Sequence, residues 1–476
     1  MRRTLLLTIG TLMISTAVAA QSANDKAIID GIMKLIQTKP KQAVEEAQKA
    51  IQKDKKNIAL IMGIGDVYIR GAKFDEAEDL SDYLSSIIKE GDKNRSKVYM
   101  LRGDILAAQK QTAEACALYD RAIFLNPGDA DAYNRYAETF IKDKPELAIG
   151  KLKELVEHRP DMKNAVNKRI GHLYYMTNDF DGAANAYDEV EESAMEDKDI
   201  IEHAMSNFFN RSFDRSLAAA EVGHKKNPRK AEFNRLIMYN NTDLKNYTEA
   251  LAAADNLFHK SDSAKFSFLD YTYYGYALMG VQDYQNAVAQ FNKALAMNEA
   301  RSDVMAQLSA AYEEMGDFDK ALELYNKFMN SLEPEQRTLE VTFRLGRLYY
   351  THASNEGISA AEKRRTLASA DSVFAVVAQL APTSHMGNFW RARTNSMLDP
   401  ESEQGLAKPY YEAVADLLEE KNDPARYSST LMECYRYLGY YYFLKKNKTN
   451  SAYYWEQVLK LDPENAIAKR ALEFVR

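Results

Sequence analysis

Cysteine is almost absent from this sequence: Cys116 and Cys434 are the only two in 476 residues. One possible pair cannot make a disulfide framework for so long a chain, and residues so far apart are expected to be two separate buried thiols. Proline and glycine are scarce, 11 and 20 respectively, and valine-rich runs are few, which leaves long stretches free to form helix. Positive charge is in deficit, with a formal net charge of −7, which argues against a nucleic-acid partner.

Catalytic signatures are missing too. The seven histidines never fall within four residues of one another, so no H-E-x-x-H zinc pair exists. Gly63 and Gly65 open a glycine pair, but Tyr68 stands where a dinucleotide loop needs its third glycine. Neither a Gly-Lys-Ser/Thr phosphate loop nor a G-x-S-x-G nucleophile turn occurs. The expectation is a protein that is not an enzyme and needs no cofactor and no metal.

The apolar run at the N-terminus, Leu5 to Ile14, is too short to span a bilayer comfortably. Arg2 and Arg3 precede it, and Ala17, Val18, Ala19 and Ala20 follow. That order reads as a secretory signal peptide over residues 1–20. Its removal predicts an exported protein, periplasmic or envelope-associated in a Gram-negative bacterium, without membrane insertion. Its retention would instead give a membrane-tethered structural protein.

What the chain does have is tyrosine, 30 in all. Between Tyr435 and Pro463 stand seven tyrosines and Trp455. Tyr435, Leu438, Gly439 and Tyr442 follow the i, i+3, i+4, i+7 spacing of one buried helix stripe. A polar turn comes next, then a second stripe with Ser451, Trp455, Val458 and Leu459, and Pro463 ends it. The unit is a helical hairpin, with Tyr437, Tyr440 and Tyr441 left outside its core stripe. The pattern recurs: Tyr284, Ala287, Phe291 and Ala294 align with Phe318, Ala321, Tyr325 and Phe328 at an offset of 34 residues.

These residues closely resemble the tetratricopeptide repeat, a pair of antiparallel helices. Its first helix carries an aromatic, Leu-Gly and Tyr; its second carries Ala, an aromatic and another Ala, with Pro closing the unit. Tyr435, Leu438, Gly439, Tyr442, Trp455 and Pro463 match it, with Ser451 in place of the first Ala. Gly171, Tyr174, Phe180, Ala183 and Tyr187 match in an earlier unit. Gly346, Tyr349, Ala370, Phe374 and Pro382 match in another that has about a dozen extra residues between its helices. Weaker copies fill the rest. The resemblance implies an all-α, right-handed superhelical solenoid of about eleven to twelve repeats with a capping helix over 466–476. The arrays expected are 21–262, partly degenerate, and 263–476, with interruptions at 191–199 and 259–265.

In such a fold the first helices line the concave side, so their residues outside the core stripe become candidates for contact with a protein or peptide partner. Those are Lys168, His172 and Tyr175 in the N-terminal half, Tyr276 further on, and Arg347, Tyr350, Arg393, Arg436, Tyr440 and Phe443 towards the C-terminus. Tyrosine and arginine are the residue types that dominate interfaces. The alternative occupant of such an aromatic surface is cell-wall glycan. Chaperone-binding members of the family clamp a terminal carboxylate, and here His172 stands where their asparagine would be. Tyr437 and Tyr441 are assigned to packing between repeats.

The last segment places Ile467, Ala468, Ala471, Leu472 and Val475 on one side and Lys469, Arg470 and Glu473 elsewhere, the pattern of a solubilising cap. Deleting residues 465–476 is expected to lower solubility. A truncated protein that stays monodisperse with an unchanged melting curve would contradict it.

Overall fold

The computed structural model describes residues 22–298 and 301–475; the expected signal peptide, residues 1–20, lies outside them. Among the described residues there are 25 α-helices and no strand. None of these helices is long and apolar enough to cross a membrane. The chain divides into two compact units, Met1–Asn240 and Asn241–Arg476.

In the first unit the helices pair along the chain: α1 (Ala23–Ile36) with α2 (Pro40–Lys53), α3 (Ile58–Arg70) with α4 (Phe74–Ile87), and α5 (Arg95–Ala108) with α6 (Thr112–Leu125). Then come α7 (Ala130–Phe140) with α8 (Pro145–His158), α9 (Lys163–Met176) with α10 (Phe180–Asp188), and α11 (Asp197–Phe209) with α12 (Phe213–Lys226). The division falls within α13 (Ala231–Asp243), which precedes α14 (Tyr247–Asp255). The second unit continues with α15 (Phe268–Gly280) and α16 (Tyr284–Met297), α17 (Ser302–Glu314) and α18 (Phe318–Ser331), and α19 (Leu339–Ala353) and α20 (Ala360–Leu380). It ends with α21 (Met386–Leu398) and α22 (Lys408–Glu420), α23 (Pro424–Leu444) and α24 (Lys448–Leu461), and a single last helix, α25 (Ala466–Val475). These are eleven packed helix pairs, with α13 and α14 lying between the sixth and the seventh in chain order and a terminal helix after the last, a helical-repeat solenoid among the described residues. The segment 259–265, where the sequence suggested an interruption, lies inside the second unit.

The turns explain why many of the pairs close so tightly. Where the first helix ends, one residue takes a left-handed conformation: Lys110, Asn178, Gln282 and Lys446 at φ between 56° and 64°, and Gly316 at 76°. The next N–H then reaches back to the carbonyl five residues earlier, as Asp179 does to Tyr174 at 2.9 Å and Asn447 to Tyr442 at 2.9 Å. The same Asp or Asn caps the second helix. Asp179, Asp283, Asp317 and Asn447 each accept from the N–H three residues on. One residue stops a helix and its neighbour starts the next.

Between the paired helices, the small residue of the first helix faces the ring of the second. A methyl on Gly103 would lie 2.4 Å from the Tyr119 ring, on Gly171 2.8 Å from Tyr187, on Gly275 2.5 Å from Phe291, on Gly346 2.6 Å from Phe374 and on Gly439 2.8 Å from Trp455. Tyr119, Tyr187, Phe291 and Phe374 are at most 1% exposed. The serine that replaced the expected alanine has its own partner: Ser451 donates to the Gly439 carbonyl at 2.8 Å, and Ser216 does the same to Ala204 at 2.7 Å. A small hydroxyl therefore fits without leaving a buried polar atom unpaired. Cys116 and Cys434 are both buried free thiols. At the C-terminal end, Ala468, Leu472 and Val475 are buried, but Ile467 is 53% exposed. Placing Ile467 on the buried side was wrong, because the stripe of α25 is narrower than a full helical face.

Gly275→Ala should destabilise the protein by about 1–3 kcal/mol, since the buried Phe291 ring has nowhere to move. Gly150→Ala should stabilise it by up to about 1 kcal/mol through helix propensity, because nothing lies within 4 Å of a methyl at that exposed helical position. Thermal melts of the two variants would contradict this account if both shifts had the same sign.

Candidate functional site

On the first-helix face of the first unit, side chains pair with one another, although Arg135 and Arg169 each keep a buried Nε without a hydrogen-bond partner. Lys168 donates to the Ala194 carbonyl at 3.0 Å and lies 3.2 Å from Asp199. His172 Nδ1 is 2.9 Å from Glu202, which also accepts from the Tyr187 hydroxyl at 2.6 Å. Tyr175 donates to the Met205 sulfur at 3.4 Å, and burial pushes its phenol up to about 12. These partners stand on α11 or the loop before it, so the three expected groove residues of α9 are joined to the following repeat. Arg135 binds Asp104 and lies 3.7 Å from Asp66, tying α7 to α5 and α3, while Arg169 binds Glu138. The face is an ion-pair ladder.

In the second unit the arrangement differs. Tyr276 packs edge-on against Phe291 at 5.7 Å and is half-buried, its phenol pushed up to about 12 by desolvation. Trp390 on α21 is the hub of an aromatic and cationic group: Tyr350 meets it edge-on at 5.1 Å, and the guanidinium groups of Arg347 and Arg393 sit over its ring at 4.4 and 5.2 Å. Arg393 also grips Glu433 of α23 with two hydrogen bonds, 2.8 and 2.6 Å, and Tyr411 donates to the same carboxylate at 3.0 Å. The Glu433 hydrogen bonds, and then its charge, hold the Arg393 guanidinium above its ordinary value against the opposing effect of burial.

At this group lies an open cleft of about 460 Å³, whose lining includes Tyr350, Lys363, Arg393, Met397, Pro400 and Glu433. The loop carrying Pro400 is shaped by Asp399, whose carboxylate accepts from the N–H groups of Gln404, Gly405 and Leu406 at 3.0, 2.7 and 3.3 Å. Further along α23, Arg436, Tyr440 and Phe443 stay exposed, the two rings by 44% and 46%. They continue the stripe begun by Glu433 at helical spacing, opposite the buried stripe of Leu431, Cys434, Tyr435 and Leu438. Tyr437 stacks on Tyr411 at 4.6 Å, and Tyr441 lies against Gly405; both serve packing between repeats.

Sequence reasoning missed Trp390, Tyr411, Met397 and Glu433 as members of this cluster. Arg393 and Glu433 are 40 residues apart and meet only because consecutive first helices lie side by side, so no local motif announces the pair. It also missed Asp319, His352 and Glu362, whose ligand atoms lie within 4.8 Å of one another, although they come from three different helices.

Models described as tetratricopeptide repeat match residues 278–330 and 96–139, each spanning helices of the pairs above. Those two segments are tetratricopeptide repeats. The chain is similar to a tetratricopeptide repeat-containing protein of Methanocaldococcus jannaschii, 23% identical over 291 residues, which is 58% of this chain and 41% of that one. The chain thus spans less than half the length of that curated relative. A crystal structure of the C-terminal part of a tetratricopeptide repeat-containing protein from Cytophaga hutchinsonii is 27% identical, covering 57% of this chain and 99% of that one with a TM-score of 0.48. A chain in the crystal structure of the APC/C hetero-tetramer Cut9–Hcn1 matches over 95% of this chain and 96% of its own at 12% identity and a TM-score of 0.27. Tetratricopeptide repeats generally mediate protein–protein interaction, and members of the family are typically non-catalytic.

The ladder of the first unit has a pH signature. Burial, reinforced by the charge of Asp66, pushes the Asp104 carboxyl up to about 6 against the pull of Arg135. The unfolded value is about 3.9, so the folded state binds the extra proton between about pH 4 and 6. This group's contribution to stability is therefore largest below that window and falls as pH rises through about 6. Denaturant melts should show wild type gaining on Asp104→Asn as pH is lowered from 7 to 5; a constant difference would contradict the assignment.

Proposed function

We propose that this protein is an exported, non-enzymatic scaffold or assembly factor of a Gram-negative cell envelope, and that it holds a polypeptide on the first-helix face of its second unit. The observation that carries this reading is the exposed stripe of Arg436, Tyr440 and Phe443 on α23, running on from the cleft at Tyr350 and Arg393. Large rings that packing does not consume, beside cations, are the residue types that anchor interfaces. The corresponding residues of α9 are engaged with the next repeat, so the binding load falls on the second unit. Recognition there combines ring burial with charge, and it calls for an extended segment bearing apolar and acidic side chains. Secretion rests on the apolar N-terminal segment with its small-residue ending, and sequencing the N-terminus of the protein from native cells tests it.

Replacing Arg436, Tyr440 and Phe443 together by Ala should cut retention of envelope proteins in crosslinking and pull-down at least about tenfold. The melting temperature should barely move, because all three are exposed. Unchanged retention by the triple variant would overturn the reading. Loss of binding to insoluble cell-wall material, with protein capture intact, would favour the glycan alternative.

A further inference from the structure

Among the described residues, Asp319 on α18, His352 on α19 and Glu362 on α20 bring three ligand atoms within 4.8 Å of one another. His352 is 5% exposed, and its ring stacks on Phe318 at 5.9 Å, which fixes its plane. Its Nδ1 is buried without a hydrogen-bond partner. Its Nε2 lies 3.6 Å from a carboxylate oxygen of Asp319. That separation is too long for a hydrogen bond, which needs about 2.7–3.2 Å. It is close to the distance of about 3.4 Å between two ligands that share a tetrahedral ion with bonds of about 2.0–2.1 Å. The nitrogen that an ion would engage is Nε2, the one facing Asp319, while Nδ1 stays without a partner either way; packing on Phe318 alone would be served as well by an apolar side chain.

We propose that Asp319, His352 and Glu362 form a binding site for a divalent transition-metal ion of the zinc class. One imidazole nitrogen and two carboxylate oxygens suit such an ion, whereas magnesium and calcium prefer oxygen alone. Three protein ligands leave further positions for water or for a group from outside the chain. Glu362 belongs to the first turn of α20, on the segment inserted between the helices of this repeat, and Ser359 caps that turn by accepting from the Glu362 N–H at 3.1 Å. Asp319 has a side chain that is 83% exposed, so it can turn toward the ion. Arg365, 3.8 Å from Glu362, competes for one ligand, which sets the site among weak, exchangeable ones. Bound metal would link the two helices of one repeat to the second helix of the repeat before it.

The test uses the full chain, stripped with chelator and titrated with Co2+ and then with Zn2+. One equivalent of Co2+ is expected to give visible absorption bands that Zn2+ abolishes, and Asp319→Asn, Glu362→Gln and His352→Gln should each weaken binding at least tenfold. His352 is buried, so its variant counts only where its circular dichroism matches wild type; Asp319→Asn, at an exposed position, decides the matter on its own. Absence of the bands at 100 µM Co2+ overturns the proposal. So does binding that is unchanged in Asp319→Asn and Glu362→Gln, which would place the ion elsewhere.

Discussion

Everything in this fold depends on the contact between a small residue on one helix and a ring on its partner. The missing side chain at Gly103, Gly171, Gly275, Gly346 and Gly439 is the space that Tyr119, Tyr187, Phe291, Phe374 and Trp455 occupy. Glycine is normally costly inside a helix, by roughly 0.5–1 kcal/mol relative to alanine. The cost is offset because the ring it admits buries a large apolar surface and sets how closely the two axes approach. One repeat cannot bury both its faces alone, so the same rings also have to meet the next hairpin, and stability spreads along the array as nearest-neighbour terms.

That logic separates the two units. Arg135 between Asp66 and Asp104, Arg169 with Glu138, and His172 with Glu202 fasten successive first helices of the first unit to one another. A buried ion pair is weak evidence for net stability, but leaving one of its members alone is costly. Such a face is therefore held in register and offers little unsatisfied chemistry to a guest. The second unit adds rings to such pairs: Arg393 binds Glu433, and Trp390 collects Tyr350, Arg347 and Arg393 without covering α23 beyond Glu433. Tyr440 and Phe443 on that stretch stay exposed.

The parts of the fold legible in the sequence were those encoded within one repeat. A period of 34 and the glycine and ring positions lie within one hairpin, so a local pattern carries them. Of the core stripe Tyr435, Leu438, Gly439 and Tyr442, the first three are buried as the spacing implied, and Tyr442 is half-buried with its hydroxyl donating to Glu412. The site was less legible because it is made between repeats. Lys168 and His172 look alike in sequence to free groove residues, and only the position of α11 shows that Asp199 and Glu202 engage them. Arg393 and Glu433 carry no shared motif for the same reason. The outward position of Ile467 depends on how α25 rolls against α24, which a count of apolar residues does not fix.

Departures from regularity then become the informative places. A regular repeat commits its rings and small residues to stacking, leaving little surface that is not already required. The segment inserted after α19 is under no such demand, and α20 grows to 21 residues because of it. Its first turns carry Glu362 to His352 on one side and Lys363 to the cleft beside Arg393 on another. The loop after α21 is likewise irregular. Asp399 organises it through three backbone N–H groups and so holds Pro400 at the cleft while presenting Gly405 to Tyr441. The repeat supplies a rigid frame, and the two insertions place on that frame the side chains that its own packing has not already used.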